Sequence, residues 1–128
     1  MLRMTSEEEM VELYWRYVAE SGSTDRNTRL SARDRTSGLA ANFESTSDRI
    51  RRGGPEAAET VVLLAAAARS TEQVGFLAAG PCEDLWEADS NSFLDVVLPA
   101  IPRDLAQKLV DGMSLSPQDE ARIRKALR

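Results

Sequence analysis

Residues 78–86, with the sequence Ala-Ala-Gly-Pro-Cys-Glu-Asp-Leu-Trp, predict one helix that ends and a second that begins without a linker. Gly80 suits the left-handed conformation that closes a helix, and Pro81 suits a first helical turn, where its missing N–H costs nothing. Glu83 and Asp84 would then lie beside the free N–H groups and the positive dipole end of the new helix. The stretch therefore predicts a tight junction between two helices.

Helices are also predicted downstream of this junction. The apolar run Phe93 to Leu98 could form a buried strand, but no second strand is predicted to pair with it, so a helix is the consistent interpretation. The predicted elements are a helix from Pro81 to about Ala88, a turn and cap at 89–92, a helix from Phe93 that Pro99 stops or kinks, a helix from Arg103 to Gly112, and a last helix from the Ser116-Pro117 cap to Leu127.

Upstream of the junction, some helices are predicted more clearly than others. The strongest starts at Pro55 and is apolar almost all round to Ala68, which is typical of a helix surrounded by others. The other predicted elements are an amphipathic helix from Glu7 to Glu20 with a Ser6/Glu9 capping box, a helix from Thr28 to Glu44, a flexible basic loop from Ser45 to Gly54, and a short helix to Ala79 with a Ser70/Gln73 capping box.

These elements predict an all-α fold, a compact bundle or short stack of about seven helices with no sheet. The length of 128 residues and the 42% apolar content suit a single helical domain over 1–128. Within it, residues 1–54 would supply the amphipathic helix and an Arg-rich helix and loop region. Residues 55–128 would supply the helical core that contains the Gly80-Pro81 junction.

Cysteine content and hydropathy bear on location. The lone Cys82 has no partner for an internal disulfide, and the first residues lack the basic and apolar regions of a secretory signal. The longest apolar run, Thr60 to Ala68, is about half the length of a membrane span. We therefore expect a cytoplasmic protein with no membrane partner.

The charge of the chain disfavours nucleic acid as a partner. The net charge is −5, whereas nucleic-acid binders carry a basic surplus that neutralises phosphates. Arginine outnumbers lysine fourteen to two, a bias expected of a GC-rich and hence bacterial genome. Seven of the arginines lie between positions 26 and 52, so the surface is predicted to be bipolar. The basic segment could contact nucleic acid or an acidic partner, or form a solvated surface.

The absence of histidine excludes Ser-His-Asp and Cys-His nucleophile systems and His-ligated metal sites. Cys82 is either a reactive thiol in a first helical turn or, as we expect, a small buried apolar residue. Arg52-Gly53-Gly54-Pro55 lacks the lysine of a phosphate-binding loop. We expect no catalytic residue, no cofactor and no metal.

An acidic surface around Trp86 is the predicted partner-binding site. A helix start needs only one carboxylate, yet the chain has four acids between positions 83 and 89. Trp86 beside them is either an interface anchor or a core residue. The acids could also hold a hard cation, although no second set of oxygens accompanies them. The predicted site residues are Glu83, Asp84, Trp86, Glu87 and Asp89.

The run from Ala78 to Trp86 resembles a set of small bacterial helical proteins that share a segment close to Gly-Ala-Gly-Pro-Leu-Glu-Asp-Leu-Leu. Matches include Gly80, Pro81, Glu83, Asp84 and Leu85, whereas Cys82 and Trp86 replace leucines. The resemblance covers about the second half of the chain. It implies a small helical domain and, for some members, an immunity-type role in bacterial conflict systems, and it brings no catalytic residues.

Together these observations predict a non-enzymatic, protein-binding module, an immunity or inhibitor protein that blocks a toxin or an enzyme with a basic cleft. One alternative is a self-associating adaptor or scaffold, in which the Arg-rich region of one copy meets the acidic region of another. A further alternative is an enzyme that works through carboxylates alone. The sequence does not fix the oligomeric state.

Overall fold

The computed structural model describes residues 5–128, which form helices and short connections without a β-strand. The predicted all-α fold is confirmed. Contacts divide the chain into two compact units, Met1–Asp48 and Arg49–Arg128. Whether residues 1–128 act as one domain stays a prediction. No helix within residues 5–128 combines the length and apolar character that a membrane crossing requires.

Nine α-helices and two π-helical turns make up the described part of the chain. The α-helices are α1 (Ser6–Ser21), α2 (Arg26–Arg33), α3 (Gly38–Arg51), α4 (Gly54–Ala67), α5 (Thr71–Leu77), α6 (Glu83–Ser92), α7 (Leu98–Ala100), α8 (Arg103–Gly112) and α9 (Pro117–Ala126). The first π turn is Ala78–Cys82 and the second is Phe93–Val97.

Aromatic packing organises the first unit. The ring of Phe43 on α3 stacks on Tyr14 and Tyr17 of α1, with centroid distances of 4.9 and 4.2 Å. The Asn42 amide donates to the Met10 carbonyl at 3.2 Å, which adds a polar tie between the same two helices. The capping box of α1 is formed by Thr5 and Glu8, one residue before the predicted pair.

The predicted helix from Thr28 to Glu44 is wrong, because the structure has two helices there. The Asp34 carboxylate accepts from the Thr36 N–H at 2.9 Å, and the Ser37 hydroxyl accepts from the Ala40 N–H at 3.2 Å. These side-chain bonds offer the backbone an alternative to helix and start a new one at residue 38.

The predicted flexible loop from Ser45 to Gly54 is also wrong, because α3 continues to residue 51. Thr46, Ser47 and Ile50 are buried, and this burial outweighs the polar composition of the segment. The connection to α4 is a tight turn in which Gly53 and Gly54 have φ angles of +71° and +86°. Only glycine adopts such angles at little cost.

The Gly80-Pro81 junction differs from its prediction. Gly80 has no positive φ, and the chain passes from α5 to α6 through the first π turn without ending a helix. In an α-helix the ring of Pro81 would clash with the carbonyl four residues earlier, and its missing N–H would leave that carbonyl unpaired. The wider π turn separates the ring from that carbonyl, so the helix continues past the proline.

The break in direction occurs at Asp89, where φ is −160° and ψ is 79°. The predicted cap is therefore confirmed at Asp89, whereas residues 90–92, predicted as part of a turn, are helical. The Asp89 carboxylate accepts from the Ser92 N–H at 3.1 Å, from the Ser92 hydroxyl at 2.6 Å and from the Gly54 N–H at 2.9 Å. One side chain thus caps a new helical segment and holds the start of α4.

Helix α4 is central to the second unit, as its apolar sequence predicts. It packs against α6 and the second π turn, while α8 packs against α5 and the first π turn. Leu64, Leu77 and Phe93 are fully buried. Burial of each such side chain contributes about 1.5–3 kcal/mol. The contact between α8 and the first π turn is close, since a Cβ on Gly112 would lie 2.8 Å from the Cβ of Ala78.

We predict that Gly112→Ala lowers the free energy of unfolding by about 1–3 kcal/mol, because the added methyl group overlaps Ala78. Gly38→Ala is the matched control, since a Cβ there meets nothing within 4 Å. Urea unfolding of both variants measures the difference. Equal stability of the two variants would contradict the close packing of α8 on the π turn.

We predict that Asp89→Ala lowers the melting temperature and that Asp89→Asn lowers it less. The amide oxygen of asparagine can still cap the helix, but its NH2 group cannot accept from the Gly54 N–H as the second carboxylate oxygen does. Hydrogen bonds from Ser92 and then Gly54 lower the pKa of Asp89 in the folded protein. The loss is therefore full above the unfolded-state pKa of about 3.9 and disappears as the pH falls through the lower folded-state pKa.

Asp95→Asn is the control for these variants, because Asp95 is exposed and its carboxylate makes no hydrogen bond or ion pair with residues 5–128. Thermal unfolding followed by circular dichroism between pH 3 and pH 7 gives the comparison. A difference between Asp89→Asn and wild type that grows on acidification would overturn the stabilising role of the carboxylate.

Candidate functional site

Helix α6 presents its acids on two different faces. Glu83 and Glu87 are one helical turn apart and therefore lie on the same face, with Trp86 at its edge. Asp84 is rotated about 100° from Glu83 and forms an ion pair with Arg51 at 3.6 Å. The face with Glu83 and Glu87 is the one that meets the residues around α9.

A small acidic pocket forms where this face meets the start of α9. Its volume is about 100 Å³, and it lies within the second unit. We call it the acidic pocket, and it is lined by Glu83, Trp86, Glu87, Ser114, Leu115 and Asp119. Three of the six lining residues are therefore carboxylates, supplied by two helices that are distant in sequence.

The backbone between α8 and α9 is fixed to this pocket by Glu83. Its carboxylate accepts from the Ser114 N–H at 3.0 Å, which holds the connection beside α6. Asp119 lies in the first turn of α9, after the Ser116 cap, whose hydroxyl accepts from the Asp119 N–H at 3.1 Å. Glu87 is exposed, while Glu83 and Asp119 are half-buried.

The three carboxylates of the acidic pocket have no ion-pair partner among the described residues. Glu83, Glu87 and Asp119 form no ion pair with a lysine or arginine of residues 5–128. Arg122 lies nearby, but its guanidinium donates to the side-chain oxygens of Ser90 at 3.1 Å and Asn91 at 2.7 Å, both neutral. The pocket therefore attracts positive charge.

Trp86 is a core residue that reaches the pocket with a small part of its ring. It is 8% exposed and meets the ring of Phe93 edge to face, with centroids 5.8 Å apart. The guanidinium carbon of Arg122 lies 5.4 Å from the Trp86 ring centroid, within cation–π distance. The ring thus forms an apolar wall of the pocket and also anchors α9 to α6.

Two of the predicted site residues lie outside the acidic pocket. Asp84 pairs with Arg51, and the Asp89 carboxylate is occupied by Ser92 and Gly54. These contacts give both acids a structural role, so the surplus of carboxylates that motivated the prediction is smaller than the sequence implies. The structure brings together Glu83, Trp86 and Glu87, and whether any of the five residues binds a partner stays a prediction.

Sequence reasoning missed three residues of the pocket, Ser114, Leu115 and Asp119, of which Asp119 is the carboxylate. Asp119 is an early acid of the last helix, where it favours the dipole. Nothing in the spacing of residues 83 to 119 indicates that α9 returns to α6. The only local signal was the Ser116-Pro117 cap, which fixes where α9 begins but not where it packs.

Cys82 sits at the end of the first π turn and is fully buried. Burial, together with the charge of Glu83, raises the pKa of the Cys82 thiol well above its usual range. The thiol therefore stays protonated and shielded from solvent, which confirms the interpretation as a small apolar residue. Among residues 5–128 no group of three or more acidic or cysteine side chains is arranged to hold a metal ion.

The resemblance of residues 78–86 to small bacterial helical proteins stays a prediction. Comparisons of the chain with protein-family models, with curated proteins and with solved structures found no match. The functional assignment therefore depends on the geometry and charge of the acidic pocket.

Proposed function

We propose that this protein is a non-enzymatic protein-binding module, a cytoplasmic bacterial immunity or inhibitor protein that blocks a basic partner through the acidic pocket. The observation that carries the proposal is the convergence of Glu83, Glu87 and Asp119 around one pocket, where none of them forms an ion pair with residues 5–128. The resemblance of the Gly80-Pro81 segment to small bacterial helical proteins, some of them of immunity type, supports the same role.

The shape and chemistry of the pocket suit the end of an arginine or lysine side chain. The carboxylates of Glu83, Glu87 and Asp119 would accept charge-assisted hydrogen bonds from a guanidinium or ammonium group. Trp86 and Leu115 supply apolar surface for the methylene stem of such a side chain. A volume of about 100 Å³ accommodates one side chain rather than a larger ligand.

The mechanism of inhibition is steric and electrostatic. A basic residue in the cleft of the partner docks into the acidic pocket, and the helical body of the second unit then covers the cleft. The net charge of −5 speeds association with a basic partner through long-range attraction. Salt screens this attraction, so the association rate falls as ionic strength rises.

The described side chains support a binding function over a catalytic one. The chain contains no histidine, and its single thiol is buried and protonated. The carboxylates of the pocket lie next to the protein surface, where they suit recognition of charge. Binding therefore requires no group beyond those that the pocket provides.

We predict that the triple variant Glu83→Gln, Glu87→Gln and Asp119→Asn loses the partner that wild-type protein captures from lysate of its source organism. Glutamine at position 83 still accepts from the Ser114 N–H, so the fold is retained. The captured protein, once purified, is titrated by biolayer interferometry at low and high salt, and we expect a lower association rate and a flatter salt dependence for the variant.

The charge-matched control is Glu56→Gln, Glu59→Gln and Glu72→Gln, which removes three exposed acids from α4 and α5. Because the two triple variants have the same net charge, a difference in binding between them reports on the acidic pocket and not on the net charge of the protein. Equal binding of the two triple variants would overturn the assignment of the acidic pocket, whichever protein is captured.

One observation in the first unit favours self-association as a second candidate function. Helix α2 contains three arginines and no acid, and Arg26, Leu30 and Arg33 are exposed at positions that share one helical face. Leu30 is 52% exposed, an apolar side chain between two cations. This surface complements the acidic pocket of another copy of the chain.

If the protein self-associates in this way, its mass should rise with concentration at low salt and return to that of the monomer in Arg26→Gln/Arg33→Gln. Size-exclusion chromatography with light scattering over a concentration series measures the mass. A strict monomer at the highest concentration would contradict self-association and leave the inhibitor proposal unaffected.

A further inference from the structure

A second, larger concavity lies between α5 and α8, away from the acidic pocket. Its volume is about 660 Å³, which falls in the range of small-molecule sites, about 300–1,000 Å³. We call it the α5–α8 groove. Its apolar lining consists of Ala68, Val74, Gly75, Pro102 and Leu105. Hydroxyl groups of Ser70 and Thr71 and four charged side chains complete the lining.

Gly75 is the unusual residue of this groove. Glycine in a helix interior is destabilising relative to alanine, so its presence on α5 calls for a reason. Its φ is not positive, and a Cβ built on it meets no atom within 4 Å. Neither backbone conformation nor close packing explains it, in contrast to Gly53 and Gly112, which meet neighbours at 3.0 and 2.8 Å.

The space next to Gly75 belongs to the α5–α8 groove. A side chain at this position would narrow the groove over the apolar surface of Val74 and Leu105. Close approach of a ligand to the backbone is one of the conditions that require glycine. The glycine is therefore explained if a ligand lies against α5 at this point.

The charges of the groove favour an anionic ligand. Two carboxylates line it: Asp111 pairs with Arg124 at 2.6 Å, whereas Asp104, in the first turn of α8, forms no ion pair with residues 5–128. Two cations, Arg69 and Lys108, also line it, and neither forms an ion pair with a carboxylate of residues 5–128. They are free to bind a carboxylate or phosphate.

We propose that the α5–α8 groove binds a small amphiphilic anion, with its apolar chain against Val74, Gly75 and Leu105 and its anionic head between Arg69 and Lys108. The activity is distinct from the partner binding proposed for the acidic pocket, which shares no residue with this groove. A fatty acid and an alkyl phosphate share this chemistry, and they differ only in the head group.

The test is a titration of the full ¹⁵N-labelled chain with dodecanoate, followed by NMR. We expect saturable shifts centred on Val74, Gly75 and Leu105, with a dissociation constant of ~1 mM or tighter, as the size of the ligand implies. Dodecyl phosphate in a parallel titration identifies the preferred head group. Dodecyltrimethylammonium has the same tail with the opposite charge and should bind more weakly.

Variants of the protein test the contacts of the apolar chain and of the anionic head group separately. Gly75→Leu fills the groove and should weaken dodecanoate binding roughly tenfold or more. Arg69→Gln and Lys108→Gln should each weaken it several-fold, whereas Lys125→Gln on α9 removes the same charge outside the groove and should not. Gly75→Ala should raise the melting temperature without ligand and lower affinity, a combination that a merely structural glycine would not give.

Three results would overturn the proposal. The first is the absence of shifts at the groove with both dodecanoate and dodecyl phosphate. The second is equal binding of the ammonium analogue, which would remove the assignment of Arg69 and Lys108. The third is unchanged dodecanoate binding in Gly75→Leu, which would place the ligand elsewhere on the chain.

Discussion

The second unit depends on the carboxylate of Asp89. Its three hydrogen bonds reach the Ser92 N–H, the Ser92 hydroxyl and the Gly54 N–H, so one side chain fixes both the kink after α6 and the entry into α4. The Gly53-Gly54 turn permits this approach, since a Cβ on Gly53 would lie 3.0 Å from that of Asp89. The position of α6 relative to α4, and thereby of the acidic pocket, follows from this constraint.

The Gly80-Pro81 junction shows how a genuine local signal can give a wrong prediction of local structure. Pro81 is predicted to open a new helix after Gly80, but a π turn accommodates its ring and the helix continues to the kink at Asp89. The outcome depends on packing, because Ala78, Pro81 and Cys82 are all buried in the second unit and a helix end there would leave buried backbone groups unpaired. Helix propensity, which depends only on the local sequence, does not include the cost of unpaired buried backbone groups.

The candidate site was predictable in part. The spacing of Glu83 and Glu87 places them on one face of any helix, so their convergence followed from the sequence. The sequence does not reveal that Asp84 and Asp89 have structural contacts instead, because their contacts with Arg51 and Gly54 join residues more than 30 positions apart. The same holds for Asp119, which the fold brings to the pocket from α9, and for the α5–α8 groove, whose walls are separate in sequence.

The sequence by itself determined the helical class, the start of α4 at Gly54-Pro55, the Ser70/Gln73 and Ser116 caps, and the burial of Cys82, since these depend on periodicity and on bonds between near neighbours. The tertiary structure decided the path through Gly80-Pro81, the length of α3 and the division of the acids between structural contacts and the acidic pocket. Those outcomes depend on which distant backbone and side-chain groups are desolvated together, and local spacing does not encode that.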